Sequence, residues 1–358
     1  MIQDLLASTL RCPECLGELT LSIGRRTGAG VETGALHCAR CPHTFPIAEG
    51  MAFFGVQASA AALRRQEIEA EFRWNFEMHD AAQHMAFAEE TFRKADEAIR
   101  RLAAIVPPPA RVLDVGAGCG YHTWQLIRHG YEAVAAELQP EGLAYGDACC
   151  GPGVRFARLV TDCSLLPIAG GAFDAVFCKE LAHHVEDLAG LLAEFRRVLA
   201  PGGVLVLIEP YWPRRRPGAP AVQDPAREAG LTHQNYGLHD YLRALRRQGF
   251  RVLRLKINRA PADPADRRLR RRVEALVERP LGLCGWGGWG RLKRWRARWT
   301  GGEVLLLARR GEPAEPDRRR REIEVLSPER LDRYRDEIAR MRANVPAFME
   351  LLEKISGK

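Results

Sequence analysis

The chain has 358 residues, of which 46% are hydrophobic and 27% charged, with a formal net charge of +8 at pH 7, a composition that is typical of folded globular proteins and excludes wholesale disorder. Because it has no run of about eighteen apolar residues and no basic start followed by a long apolar stretch, neither a membrane-spanning helix nor a secretory signal is predicted. We therefore expect a cytoplasmic protein, in whose reducing surroundings paired cysteines bind metal rather than each other.

Four of the ten cysteines form two Cys-x-x-Cys pairs near the start of the chain. Cys12 and Cys15 are separated from Cys38 and Cys41 by 22 residues with alternating apolar positions and a glycine-rich stretch over 28–34. This pattern predicts a hairpin that brings four thiolates around one Zn²⁺, and the paired spacing disfavours the alternative of four free cysteines. Four protein ligands leave no open position on zinc, so the ion is expected to be structural.

The segment after the second pair reads Phe-Pro-Ile-Ala-Glu-Gly over 45–50. With the two cysteine pairs, it resembles the Trm112-like zinc-ribbon family over about residues 8–55. It is also similar to the zinc-finger start of certain bacterial rRNA guanine methyltransferases. The resemblance implies a ribbon that accompanies a methyltransferase as a structural or substrate-contacting part.

Residues 58–71 and 89–105 have apolar positions at helical spacing and end at three consecutive prolines, 107–109. Three aromatic residues, Phe72, Trp74 and Phe76, lie between these predicted helices. Two uses of them stay open: a lid over a cofactor, or packing in the core.

A glycine-rich stretch follows a predicted buried strand. Residues 111–120 read Arg-Val-Leu-Asp-Val-Gly-Ala-Gly-Cys-Gly, so Asp114 is followed by Gly116, Gly118 and Gly120, and a helix is predicted over 121–129. Glycines let the backbone approach a ligand closely, and this spacing differs from the Gly-x-Gly-x-x-Gly of dinucleotide sites. The stretch resembles motif I of class I S-adenosylmethionine-dependent methyltransferases, which implies that these four residues help to bind that cofactor.

The following strands carry acids at their ends. Glu137 ends the predicted strand 131–138, where a carboxylate can accept hydrogen bonds from ribose hydroxyls. The resemblance implies that Asp162, after the strand 155–161, binds the adenine amino group, and it places Cys163 beside the cofactor. Alone, each acid would be a solvated strand end; their order in this series favours binding. Strands at 173–178 and 204–209 flank a helix at 188–199 and a Pro-Gly-Gly turn, which matches the family order.

The methyl acceptor is expected where the fourth and fifth of these strands end. Glu180, His183 and His184 follow the fourth strand, and the histidines are general-base candidates because imidazole titrates near neutral pH, although a structural use is equally open. Four further residues are expected near the substrate: Glu209 and Tyr211 at the end of the fifth strand, and His233 and Tyr236 in a polar loop before a helix at 240–248. A helix-capping role for that loop is the alternative.

The last two predicted strands, 250–257 and 303–308, are separated by a basic, tryptophan-rich insertion. Residues 261–300 hold eleven Lys and Arg against four Asp and Glu, with four of the seven tryptophans. Such a segment suits an anionic membrane surface or RNA; a solvated charged face is the third interpretation. We favour the membrane surface, since the aromatic residues cluster with leucines.

These observations predict an α/β fold: a Rossmann-like, seven-stranded methyltransferase sheet with an N-terminal zinc ribbon and the insertion between the last two strands. The predicted division is a ribbon at 1–55, a helical lid or linker at 56–106, a methyltransferase domain at 107–310 with its insertion at about 258–302, and a linker with terminal helices at 311–358. The expected function is methylation of a small-molecule, glycan or lipid-linked acceptor from S-adenosylmethionine. RNA methylation is the alternative, and a non-catalytic cofactor-binding protein is less favoured.

Overall fold

The computed structural model describes residues 9–28, 30–72, 81–149, 156–212, 230–259, 302–311, 322–343 and 350. The described strands are β1 (Leu19–Thr27), β2 (Gly30–Cys38), β3 (Thr44–Ala48), β4 (Met51–Phe53), β5 (Gly55–Gln57), β6 (Arg111–Val115), β7 (Glu132–Glu137), β8 (Ala157–Val160), β9 (Phe173–Lys179), β10 (Leu199–Tyr211), β11 (Phe250–Arg259), β12 (Gly302–Arg310) and β13 (Ile323–Val325). The described α-helices are α1 (Ala61–Phe72), α2 (Ala81–Ala103), α3 (Tyr121–Arg128), α4 (Pro140–Cys149), α5 (Leu188–Val198), α6 (Leu238–Arg247), α7 (Glu329–Arg333) and α8 (Arg335–Ala343).

Seven strands form the expected central sheet, in the order β8–β7–β6–β9–β10–β12–β11. The first five are parallel to one another, and β12 lies antiparallel between β10 and β11. Parallel strands covered on both faces read as continuous apolar runs, and β6 follows this rule with Val112, Leu113 and Val115 all buried. The predicted seven-stranded sheet is confirmed.

Helices cover both faces of this sheet. Ala98, Ile99 and Leu102 of α2 pack on one face, and a second apolar cluster on the opposite face includes Leu192 and Phe195 of α5. Each helix buries the stripe that its 3.6-residue period places together. The strand ends between these layers are therefore held from both sides.

The four ribbon strands extend the same sheet, which the prediction of a seven-stranded sheet did not include. β1 to β4 form an antiparallel series, and β4 pairs in parallel with β8, so that Ala52 lies opposite Leu159. The result is one eleven-stranded sheet within the described residues. A bridge between Leu10 and Ile168 adds a further connection. The ribbon is thus continuous with the central sheet.

The C-terminal part returns to the N-terminal part. The segment 311–358 was predicted to hold only a linker and terminal helices, but Ile323–Val325 forms β13 and pairs antiparallel with β5. The backbone of β5 offers an open edge for this pairing, which a local sequence pattern does not reveal. Of the two predicted terminal helices, the first is observed as α7 and α8, and the second, at 345–355, lies outside the described residues apart from position 350.

Phe72 packs in the core, with its ring centroid 4.1 Å from that of Tyr334. Trp74, Phe76 and the whole insertion at 261–300 lie outside the described residues. Among the residues described, no helix has the length and apolar character needed to cross a membrane.

Candidate functional site

The glycine-rich stretch forms a tight turn between β6 and α3. Gly116 and Gly118 have φ of +73° and +52°, a region that side chains strongly disfavour. A Cβ at Gly116 would come within 2.8 Å of Leu181, whereas a Cβ at Gly118 would meet no atom within 4 Å. Gly120 is the N-cap of α3, with φ of +72°. The turn therefore leaves open space beside Gly118.

Asp114 is buried beneath this turn and accepts a 2.6 Å hydrogen bond from the Thr123 hydroxyl. Burial raises the pKa of Asp114 to about 7, against an ordinary value of 3.8, and the charge of Glu137 adds to the shift. The bond between Asp114 and Thr123 therefore ties the end of β6 to α3, the two elements that the glycine turn connects.

Glu137 joins β7 to the glycine turn. One carboxylate oxygen accepts the Gly118 N–H at 2.8 Å, and the other accepts the N–H groups of Leu138 and Gln139 at 2.6 and 2.9 Å. Burial raises the pKa of Glu137 in spite of these three hydrogen bonds. The predicted acid thus lies against the predicted glycine loop.

Asp162 has a partner that the sequence did not indicate. Its Oδ1 accepts bonds from the backbone and hydroxyl of Ser164 at 2.8 and 2.7 Å, and its Oδ2 accepts from Arg64 Nε at 2.8 Å. Arg64 comes from α1 and also bonds to Glu67 at 2.5 Å. The other oxygen of Glu67, Oε1, is buried with no hydrogen-bond partner among the described residues. Helix α1 therefore brings a cation and an acceptor to this end of the site.

These groups surround a cleft of about 710 Å³ including its open mouth. It is lined by Arg64, Glu67, Gly116, Gly118, Ala136, Glu137, Leu138, Thr161, Asp162, Cys163, Glu180, Leu181, His184, Val185 and Leu231. Burial raises the pKa of the Cys163 thiol, so this side chain is a neutral part of the wall. Five of the seven residues predicted to bind the cofactor line the cleft, and Asp114 and Gly120 are not among its lining residues.

Glu180 marks the end of β9 with an unusual backbone, since its φ is +54°. Its carboxylate lies 2.7 Å from Lys179 Nζ. Burial alone would raise the pKa of Glu180, but the neighbouring Lys179 ammonium group lowers it below its ordinary value. A non-glycine residue in this conformation is held there by its surroundings, and such residues cluster at functional sites.

Three histidines meet beyond Glu180. The ring centroids of His183 and His184 are 4.2 Å apart, and those of His183 and His184 lie 4.8 and 4.6 Å from His233. The Trp212 ring lies 6.0 Å from His183. We call the three histidines the histidine cluster. Burial, followed by the charges of the other two imidazoles, lowers the pKa of His184 to about 2.

Glu209, at the end of β10, supports the histidine cluster from the protein interior. Its Oε2 lies 2.8 Å from His183 Nδ1, and its Oε1 accepts the N–H groups of Leu181 and Ala182 at 3.0 and 2.8 Å. Glu209 is fully buried and Tyr211 is 2% exposed. The structure therefore places both residues behind the cleft, and their contact with a substrate stays a prediction.

Backbone hydrogen bonds connect the loop before α6 to the turn after β9 and to the end of β10. Gln234 N–H donates to the His183 carbonyl at 2.6 Å, and Trp212 N–H donates to the Tyr236 carbonyl at 2.9 Å. The Tyr236 hydroxyl lies 2.6 Å from the Glu186 carbonyl oxygen. His233 is thereby fixed beside the other two imidazoles.

The four paired cysteines converge at one end of the ribbon hairpin. Their sulfur atoms lie within 4.8 Å of one another, with separations of 3.6 Å for Cys12 and Cys41, 3.4 Å for Cys15 and Cys38, and 3.6 Å for Cys15 and Cys41. Tetrahedral zinc, with Zn–S distances of about 2.3 Å, requires sulfur separations of about 3.8 Å. The donor set and its spacing fit one zinc ion.

Two family models match the chain. The model described as a methyltransferase domain matches residues 113–207, and the model of Trm112p-like proteins matches residues 3–50. A protein of Mycobacterium sp. (strain KMS) named as an uncharacterized methyltransferase is 32% identical over 193 residues, which is 54% of this chain and 71% of the relative.

Relatives with named acceptors match a shorter stretch. The 2-methyl-6-phytyl-1,4-hydroquinone methyltransferase of Synechocystis is 32% identical, over 31% of this chain and 34% of the relative. The demethylmenaquinone methyltransferase of Mycolicibacterium paratuberculosis is 36% identical, over 30% and 45%. Among solved structures, the geranyl diphosphate C-methyltransferase of Streptomyces coelicolor is 20% identical with a TM-score of 0.45, covering 61% of this chain and 76% of that one.

Proposed function

Because the chain belongs to the class I S-adenosylmethionine-dependent methyltransferases, we propose that it methylates a small-molecule or lipid-linked acceptor bound at the histidine cluster. The observation that carries this proposal is the position of the cluster. His184 lines the cleft that the glycine turn and Glu137 also line, and His183 stands behind it with Glu209 as its partner. Two imidazoles thus stand at the cofactor cleft, one lining it and one behind it in contact with a carboxylate.

The cleft fits the cofactor on two observations. Gly118 lines it with no atom within 4 Å of where a Cβ would stand, and Glu67 Oε1 is a buried acceptor with no hydrogen-bond partner among the described residues. In our proposal Glu137 holds the ribose, Asp162 and Glu67 face the adenine end, and Cys163 forms part of the wall. S-adenosylmethionine supplies an electrophilic methyl group on a sulfonium sulfur.

In this proposal the histidine cluster accepts the proton that the acceptor loses on methylation. On methyl transfer the cofactor would leave as S-adenosylhomocysteine, whose sulfur keeps the electron pair of the broken bond, and the acceptor's heteroatom would have a proton to lose. The proton passes from the acceptor to the imidazole of His183, because burial and the neighbouring imidazoles lower the pKa of His184 to about 2 and leave it a poor base. Glu209 orients His183 and would stabilise its charged form, as carboxylates do for histidine bases in hydrolases. Glu180 lines the same wall and sets the shape of the turn.

The acceptor side of the cleft has apolar walls, which favours an apolar or lipid-linked acceptor. Leu181, Val185 and Leu231 line it, and Tyr236 packs against the same core. Two relatives are named for phytyl- and menaquinone-type acceptors, which agrees with this class. Binding of an anionic membrane or of RNA through 261–300 stays a prediction, since that segment lies outside the described residues.

The zinc ion belongs to the ribbon in this proposal. Cys12, Cys15, Cys38 and Cys41 supply four thiolates, which fill a tetrahedral site and leave no position for a substrate. The ion therefore stabilises the ribbon hairpin and takes no part in methyl transfer.

The test is transfer of labelled methyl from S-adenosylmethionine into fractionated extract of the source cells, with the Gly118→Arg variant as the negative control. Label in the organic-soluble or small-molecule fraction, absent with the variant, is the expected result. Label confined to RNA would overturn the acceptor class. No label, together with no binding of S-adenosylhomocysteine to the wild type by calorimetry, would contradict the proposal as a whole.

A further inference from the structure

The histidine cluster has the donor set of a metal site. One ring nitrogen from each of His183, His184 and His233 lies within 4.8 Å of the others. Imidazole nitrogen is a preferred ligand of zinc and its first-row neighbours, with bond lengths of about 2.0–2.1 Å for zinc. On a tetrahedral ion these bond lengths correspond to nitrogen separations of about 3.4 Å, so the rings would have to turn toward one another when the ion binds. Two segments of chain, the turn after β9 and the loop before α6, supply the ligands.

Two of the three histidines also have the hydrogen-bond partners that orient metal ligands. Metal-binding histidines donate their other ring N–H to a carboxylate or a backbone carbonyl, which fixes the tautomer and the ring orientation. His183 Nδ1 is bonded to the buried Glu209 carboxylate, and His184 has a hydrogen bond to the backbone of Thr232. Each of these two histidines therefore has an orienting partner for one ring nitrogen, which is the arrangement that a ligand histidine needs.

We propose that His183, His184 and His233 bind one divalent transition-metal ion, of which Zn²⁺ is the best match, with Glu209 as the orienting carboxylate. Three protein ligands leave a tetrahedral ion with an open position, as in catalytic rather than structural sites. Because His184 lines the cleft, that position is reached from the acceptor side. The ligand it would take is an oxygen of the acceptor, such as a hydroxyl or phenol.

This inference rests on the proposed function only for the place of the acceptor. A bound ion changes the role of the histidines from proton acceptors to ligands. It would lower the pKa of a coordinated hydroxyl, whose proton would pass to solvent water. The oxygen would then bond to the methyl carbon while the carbon–sulfur bond of S-adenosylmethionine breaks and its electron pair stays on sulfur. The acceptor class is thereby narrowed to compounds with an oxygen nucleophile.

The experiment counts metal ions in the full chain. The protein is stripped with a chelator, reloaded with Zn²⁺, desalted and analysed for zinc per chain by mass spectrometry. We expect two ions in the wild type, one in the ribbon and one in the histidine cluster, and one in His233→Gln. His239→Gln is the matched control, because this histidine is exposed on α6 outside the cluster, and it should keep two ions.

Reloading with Co²⁺ assigns each ion. Thiolate-to-cobalt charge-transfer bands report the ribbon site alone, so His233→Gln should keep these bands, keep the d–d bands of the ribbon cobalt, and lose only the d–d absorption of the histidine-bound cobalt. Glu209→Gln should weaken binding of the second ion by about 10-fold or more. Circular dichroism melting shows whether each variant is folded, and His184→Asn replaces His233→Gln if the latter is not.

One ion in the wild type, or two in both cluster variants, would overturn the metal site. Binding of S-adenosylhomocysteine is measured on the same samples by calorimetry. If the wild type binds the cofactor but holds a single ion, only the metal site is refuted. If the wild type does not bind the cofactor, the proposed function is refuted.

Discussion

Glu209 Oε2 lies 2.8 Å from His183 Nδ1, and this contact ties the end of β10 to the turn after β9. The second oxygen of the same carboxylate accepts two backbone N–H groups of that turn. One buried side chain therefore fixes both the path of the turn and the orientation of an imidazole. Glutamine at this position, with a neutral amide of the same size, can fix the path of the turn but not the orientation of the imidazole.

We expect Glu209→Gln to lower kcat for methyl transfer by about 10- to 100-fold and to leave the affinity for S-adenosylhomocysteine nearly unchanged. The amide oxygen can still accept the backbone N–H groups, but its NH₂ faces His183 Nδ1 and forces the other tautomer. Steady-state kinetics and calorimetry measure the two quantities. Glu186→Gln, an exposed neighbour, is the control, and equal kcat values in both variants would refute the role given to Glu209.

Gly118 and Gly202 offer a matched pair. Both have positive φ, +52° and +77°, and a Cβ at either would meet nothing within 4 Å. Alanine should therefore cost each about 1–2 kcal/mol of stability through backbone strain. Only Gly118→Ala should also weaken S-adenosylhomocysteine binding, by at least about 10-fold, because only Gly118 lines the cleft. A similar dissociation constant for the two variants would show that this glycine does not face the cofactor.

Asp114 makes stability depend on pH. Its pKa is raised by burial to about 7 in the folded chain, against 3.8 ordinarily, so between these values the folded state keeps a proton that the unfolded state has lost. The free energy of unfolding therefore falls by up to about 4 kcal/mol as pH rises from about 4 to 7. Above pH 7 it no longer changes through this group.

Asp114→Asn removes this dependence. The difference in unfolding free energy between variant and wild type should grow in favour of the variant from pH 4 to 7, as measured by urea denaturation at several pH values. Asp174→Asn, at an exposed position on β9, is the control. If the Asp114→Asn and wild-type curves run parallel across this range, the buried carboxyl does not titrate there.

Arg330 connects three parts of the chain. From α7 it bonds to Glu69 of α1 at 2.5 Å and forms an ion pair with Glu141 of α4, which is fully buried. Arg330→Met leaves that carboxylate without this cation and should cost about 3–5 kcal/mol of unfolding free energy. Adding Glu141→Gln should restore part of the loss. The side chain of Arg333 is 66% exposed, so Arg333→Gln should cost less than about 1 kcal/mol of unfolding free energy. Equal losses for the two arginine variants would contradict the stabilising role given to Arg330.

The zinc ribbon should be a stability element. Cys38→Ser removes one of four ligands and should release the ribbon ion and lower the unfolding free energy by more than about 2 kcal/mol. Zinc analysis and chemical denaturation measure both effects. Cys119→Ser, at a half-buried cysteine outside the four-sulfur cluster, should retain zinc and melt close to the wild type. Zinc retained in Cys38→Ser would show that the ligand set is a different one.

Two residues that line the cleft could be identified from local patterns, although their role in binding the cofactor stays a prediction. A glycine turn after a buried strand and an acid at the end of the next strand identify Gly118 and Glu137 without any long-range information. Arg64 carries no such mark, since it lies on a helix 98 residues before Asp162, with which it pairs. Its role follows only from how α1 packs.

The acceptor side was predictable as a set of residues but not as an arrangement. His183 and His233 were both identified from polar segments, yet their approach depends on backbone bonds between two loops 50 residues apart, such as Gln234 to His183. Glu209 was predicted to lie near the substrate, which stays a prediction, and its contact with His183 carried no mark in the sequence. Pairing of β4 with β8 was missed for the same reason: non-local strand contacts leave little trace in a sequence read locally.

The continuity of β4 with β8 means that the ribbon also serves as an edge cover. Without it, β8 would present a row of unpaired N–H and C=O groups next to Asp162, and such an edge is a template for pairing with another chain. A truncated protein that begins after the ribbon would therefore be prone to self-association through that strand. Removing the ribbon to produce the methyltransferase part alone would therefore divide a continuous sheet and would not separate two independent domains.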